Sequence, residues 1–202
     1  MEDQPILLAS SSPYRRALLA KLGNAFITAS PDIDESPTLG ESARALALRL
    51  AREKAEALTS SHPGHWIIGS DQVASLASGE HLCKPGNYST AFDQLSRSSG
   101  QTVTFFTGLA LLNADTGEHQ AHCELFKAHF RELSQEEIDQ YLKIEKPYDC
   151  AGSFKMEGLG IALFRALEGR DPNSLVGLPM IALTNMLRNW GLNPLLVANP
   201  TN

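Results

Sequence analysis

Cysteine is scarce in this chain: three in 202 residues, at Cys83, Cys123 and Cys150. An odd number at such wide spacing excludes a disulfide framework and a zinc knuckle. No apolar run is long enough to cross a membrane. Positive charge is in deficit, 17 Lys and Arg against 23 Asp and Glu, and the net charge of −6 argues against broad nucleic-acid binding. A small anion is not excluded, because a local group of cations can dominate one cleft. The start, MEDQP, lacks the basic residues of a signal peptide, so a cytoplasmic protein is expected. In that setting the sequon Asn87-Tyr88-Ser89 carries no meaning. GxxxxGK[ST], GxGxxG and GxSxG are all missing, which removes the P-loop, dinucleotide and nucleophile-elbow readings. There is no repeat, low-complexity tract or clear linker.

What is present is an ordinary globular composition, 43% hydrophobic and 20% charged, enough for one substantial domain or two small lobes. The stretch from Ile6 to Leu22, ILLASSSPYRRALLAKL, reads as a buried strand, a serine loop and a helix. Ser12 suits the N-cap and Pro13 the first helical position. Such a junction offers free N–H groups to an anion. Arg15 and Arg16 in the first turn are unfavourable for the helix itself, unless an anion is shared; the alternative is a capped surface helix with solvated arginines.

Further along, Ala25 to Ala29 reads as a strand and Ser42 to Leu58 as a helix. Trp66 to Val73 is a buried strand with a polar end, and Leu76 to Leu82 a turn and short return strand. Tyr88 to Arg97 is a short helix. Val103 to Leu112 is a central strand, and Asp115-Thr116-Gly117 turns it into an antiparallel partner, His119 to Phe130. Ser134 to Glu137 is a capping box for a helix to about Lys143. Pro147 to Gly160 is irregular, Ile161 to Phe164 a strand, and Leu178 to Trp190 a helix stopped by Gly191. The pattern predicts an α/β fold with a mixed sheet and flanking helices, in two lobes around a cleft.

Asp71 closes an apolar strand, where a carboxylate can hold a metal, take a proton from water, or merely cap a turn. Asp34 and Glu35 form an acidic pair that suits a hard divalent cation, or else a solvated loop. Lys54, Lys84 and Arg15 are candidate phosphate cations, although Lys54 also fits a solvated helix face. His119, His122, Cys123 and His129 lie on one strand, whose alternation turns neighbours to opposite sides and argues against a shared zinc.

Eight segments, in order, resemble the Maf-like nucleoside triphosphate pyrophosphatases. They are ASSSPYRRALL from Ala9, PDIDES from Pro31, AREKAEAL from Ala51, IIGSDQV from Ile67, CKPGN from Cys83, TGLALLN from Thr107, AGSFKMEGLG from Ala151 and EGRDPNSLVGLP from Glu168. The resemblance spans nearly the whole chain, 1–202, as one domain. It implies an elongated, inosine triphosphatase-like α/β fold that releases pyrophosphate from nucleoside triphosphates with Mg²⁺ or Mn²⁺. It implies phosphate contacts from Ser10, Ser12, Arg15, Lys54 and Lys84, metal held by Glu35 and Asp71, and Asp71 as proton acceptor. A homodimer is plausible only by the same likeness.

Three positions depart from the commonest pattern: Tyr14 for Arg, Gln72 for Thr and Glu157 for Gln. All three look like specificity positions, and together they resemble the branch acting on 7-methyl-GTP. An aromatic ring such as Tyr14 suits a cationic base. A carboxylate at Glu157 accepts from both N1–H and the exocyclic amine of guanine, where Gln would oppose one donor with another. The rival readings are the same reaction on dTTP or UTP, a nucleotide-binding regulator of cell division, and a phosphatase that releases orthophosphate.

Overall fold

Ile6, Leu7, Leu8 and Ala9 are all buried, which only a strand covered on both faces allows. In the computed structural model, which describes residues 5–197, they form β1 (Ile6–Ala9). The start Met1–Gln4, on which the expectation about a signal peptide rests, lies outside the described residues. The chain turns at Ser10, whose N–H bonds back to Leu8 O, and enters α1 (Pro13–Ala20). Ser12 caps it, accepting from Arg15 N–H at 3.3 Å. β2 (Phe26–Ala29) and α2 (Ala43–Glu56) follow, the latter capped by Ser42.

β3 (Trp66–Leu76) is longer than expected and runs on past Val73. Asp71 therefore lies inside a strand, not at its end. The strand end that matters is that of β1, which pairs with β3 in parallel from Ile6–Trp66 to Ala9–Gly69 and then leaves. β4 (His81–Leu82) takes up that edge only from Ala74. Between these two neighbours lie Asp71 and Gln72, which line one cavity with the serine loop.

After α3 (Tyr88–Ser98), the expected antiparallel pair forms: β5 (Thr102–Asn113) and β6 (His119–Phe130), joined through Asn113 to Gly117. The capping box starts α4 (Gln135–Glu145). The strand expected at Ile161 to Phe164 is displaced. Leu159–Leu163 is a 3-10 turn, and β7 is Phe164–Gly169. Four of its six residues are exposed and its apolar pattern is weak, because it is the edge beside β6. α5 (Asn173–Val176) was not expected; α6 (Met180–Asn189) was, and Gly191 follows it at φ +89°. α7 (Pro194–Val197) ends the described chain.

The sheet order is β2-β1-β3-β5-β6-β7 with β4 on β3, so it is mixed, as expected. At about 3.3 Å per residue, the long strands span roughly 35–40 Å. Separate cores pack at their two ends. One gathers Phe105, Phe130, Leu142 and Phe154; the other gathers Leu19, Ile68, Leu111 and Leu183. The middle of β3 lies between these lobes.

The other face of the sheet carries α2 at very short range. A Cβ on Gly69 would fall 2.0 Å from Ala51 O, and one on Gly108 2.0 Å from Ala47 O. Only glycine permits that approach. Ala47, Ala51 and Ala55 complete the contact from the helix side, fully buried.

Candidate active site

The shallow seat of α2 brings its last turn against Asp71. Lys54 is 5% exposed, so the reading of a solvated helix face does not hold. Its Nζ donates to Asp71 Oδ1 at 2.6 Å and lies 2.7 Å from Glu35 Oε1. Lys84 Nζ is 3.9 Å from the other Glu35 oxygen. Burial works against the Glu35 carboxylate. The Lys54 hydrogen bond and the charges of Lys54, Lys84 and Arg15 outweigh it and hold the group below the ordinary glutamate range.

The loop that carries Glu35 is tied to α2 by Arg49. That guanidinium donates to Glu41 at 2.8 and 2.9 Å and to Ser36 O at 3.0 Å. Asp34 does not join Glu35. Its Oδ1 accepts Ser36 N–H at 2.9 Å, which closes a turn instead.

Arg15 enters from α1, and its Nε donates to Gly177 O at 2.8 Å. Burial lowers its pKa, while the charges of Asp71 and Glu35 act to raise it. Ser10 Oγ accepts Ser12 N–H at 3.1 Å and shapes the loop between them. Tyr14, the next residue back from Arg15, faces a different set. Burial raises its phenol, and Cys150, Asp149 and Glu157 add to the shift. Burial also pushes the Cys150 thiol up to about 12, so it stays protonated and is no nucleophile at neutral pH.

All ten expected residues line one cavity of about 330 Å³: Ser10, Ser12, Tyr14, Arg15, Glu35, Lys54, Asp71, Gln72, Lys84 and Glu157. Three cations and two carboxylates gather at one side, and Tyr14 with the acids around it at another. Gln72 is set apart by its bonds, because its amide nitrogen donates to Ser174 O at 2.8 Å. Sequence reasoning missed Asp149, Phe154, Met156, Leu175, Val176 and Gly177, which line the same cavity. Five of the six fall in the segments AGSFKMEGLG and EGRDPNSLVGLP, whose glycines signalled tight backbone without naming a contact; Asp149 lies two residues before the first.

The donor set suits a hard divalent cation. Glu35 and Asp71 each present an oxygen to a single ammonium group, and such carboxylates favour Mg²⁺ or Mn²⁺ over softer ions. Among the described residues no three His, Cys, Asp or Glu side chains converge, so further ligands would come from phosphate and water.

A family model described as Maf-like protein matches residues 5–190. A 7-methyl-GTP pyrophosphatase of Pseudomonas syringae pv. tomato is 58% identical over 188 residues, 93% of this chain and 97% of that protein. One of the same name from Pseudomonas savastanoi pv. phaseolicola is 57% identical over the same shares. Two solved structures are more distant. A HAM1 protein from Coxiella burnetii is 17% identical, with TM-score 0.46 over 64% of this chain and 74% of its own. The Staphylococcus aureus Ham1 protein is 12% identical, with TM-score 0.48 over 77% and 89%. No site residue is assigned from either.

Proposed function

The chain belongs to the Maf family, and from that premise we propose that it hydrolyses 7-methyl-GTP to 7-methyl-GMP and pyrophosphate. The observation that carries the reading is the convergence of Arg15, Glu35, Lys54, Asp71 and Lys84 on one cavity that also holds Tyr14 and Glu157. Three cations at one side match a triphosphate. An aromatic ring among acids at another side matches a base made cationic by methylation.

Arg15, Lys54 and Lys84 bind the phosphates and offset the charge that builds on departing pyrophosphate. The serine loop adds hydrogen bonds from Ser10 and Ser12. Asp71 accepts the proton of the water that attacks the α-phosphorus. Glu35 and Asp71 would hold a divalent cation, which polarises the phosphoryl oxygens when bound. Tyr14 stacks on the base, and Glu157 accepts from its Watson–Crick edge. A cytoplasmic setting and a homodimer are part of the same proposal. No helix among the described residues is long and apolar enough to cross a membrane.

The test supplies 7-methyl-GTP, GTP, UTP and dTTP with Mg²⁺ and identifies both products by phosphorus NMR. Pyrophosphate from 7-methyl-GTP above the rest is expected. A preference for dTTP or UTP would reassign the base, orthophosphate would mark a phosphatase, and binding without turnover a regulator.

A further inference from the structure

Gln72 follows Asp71 on β3 and so faces the opposite side of the sheet. Its Nε2 donates to Ser174 O at 2.8 Å and lies 3.2 Å from both Leu175 O and Thr107 Oγ1. Thr107 Oγ1 donates to Ser174 O at 2.9 Å. Ser70, on the same face, shares its hydroxyl proton between Gly108 O at 2.7 Å and Gly177 O at 2.9 Å. Every acceptor but Gly108 O and Thr107 Oγ1 belongs to α5 or to Gly177, which ends it.

A helix leaves its last carbonyls without an internal partner, and α5 is a single turn. Ser174 O keeps one such partner, Gly177 N–H at 3.0 Å, and the sheet supplies the other donors. The remaining donor to this group is Arg15, whose Nε meets the same Gly177 carbonyl as Ser70. Ser70, Thr107 and Ser174 are fully buried, so bonds unmade there are costly.

We propose that Gln72 is a positioning residue: with Thr107 and Ser70 it fastens α5 and Gly177, and the fastened carbonyl aims Arg15 into the cavity. Gln72 thereby acts on the phosphate end through Arg15, and does not read the base. Its consequence for binding rests on the function proposed above; the tie itself does not.

The test uses Gln72→Met, similar in length and without donors, and Thr107→Val as an independent cut in the same tie. The first readout is the Arg15 Nε–H resonance in nitrogen NMR, identified by its loss in Arg15→Lys. Loss of one buried hydrogen bond corresponds to about fivefold, so that proton is expected to exchange with water about fivefold faster in each variant. The second readout is calorimetry with inorganic tripolyphosphate, which has no base. Gln72→Met is expected to weaken it about fivefold, and the double variant with Arg15→Lys to bind no worse than Arg15→Lys alone. An Arg15 signal unmoved in both variants overturns the proposal. So does unchanged tripolyphosphate binding beside an altered preference among bases. If the unaltered protein ignores tripolyphosphate while the Arg15 signal still responds to Gln72→Met, the proposed function fails and the positioning role stands.

Discussion

Lys54 holds Asp71 at 2.6 Å across 17 residues of sequence, and both side chains are nearly buried. A buried carboxylate needs such a partner, and a buried ammonium needs it equally. The pair gives each group its partner and fixes one oxygen of Asp71.

Asp71→Asn keeps the shape and still accepts from Lys54, but it cannot take a proton. The variant is expected to fold with an unfolding temperature close to that of the parent and to lose roughly 10²–10⁴-fold in turnover. Steady-state release of pyrophosphate measures it. Near-parental turnover would remove Asp71 from its role.

Much of this arrangement is legible in the sequence. Ser12-Pro13 announced α1, Ser134 to Glu137 announced α4, and Asp115-Thr116-Gly117 announced the β5–β6 hairpin, each through a local rule of caps or turns. The burial of Lys54 was not legible. Helical periodicity assigns a lysine to solvent, and only the glycines of β3 and β5 draw that face of α2 onto the sheet. Asp71 was misplaced to a strand end because pairing partners are set by the whole topology. The direction of Gln72 was hidden for the same reason, since alternation tells which face but not what covers it. β7 escaped because an edge strand beside solvent carries little apolar contrast.

Glu157→Gln replaces an acceptor with a donor against one of guanine's two N–H groups. A lost charge-assisted hydrogen bond predicts a fall of roughly 10–100-fold in kcat/KM for 7-methyl-GTP. UTP and dTTP, whose edges mix donor and acceptor, are expected to lose less or to gain. Competition between the nucleotides in one vessel measures the ratio directly, and equal losses on all three would refute the reading of Glu157.

Glu41 gives a pH dependence with a definite sign. Hydrogen bonds from Arg49, then from Thr38 N–H, pull its carboxyl from 4.5 to about 2. In the unfolded chain the group takes its proton near the ordinary value, while the native group stays charged. Its stabilisation is therefore whole above about pH 4.5 and drains away as pH falls toward 2. The unfolding-temperature gap between the parent and Glu41→Gln is expected to be widest near neutrality, to narrow through that window and to close below it. Because Arg49 also holds Ser36 O, the variant should weaken the Glu35 loop as well. A gap that does not change with pH would show that the clamp contributes through packing alone.

Gly108→Ala tests whether the seat of α2 sets the active site. The added methyl would meet Ala47 O at 2.0 Å, a distance no carbon tolerates, and backbone cannot swing aside as a side chain can. The helix must lift. Overpacking of this kind costs about 1–3 kcal/mol. The larger effect falls on Lys54, two helical turns away on the same rigid element, because even a small displacement lengthens its 2.6 Å bond to Asp71. Turnover is therefore expected to drop further than stability alone explains, at a temperature where the variant is fully folded. Arg52→Ala, on the exposed side of the same helix, serves as the control. It breaks only a surface pair with Glu56 and should leave both quantities close to parental. A Gly108→Ala variant that is less stable yet fully active would separate the seat of the helix from the chemistry.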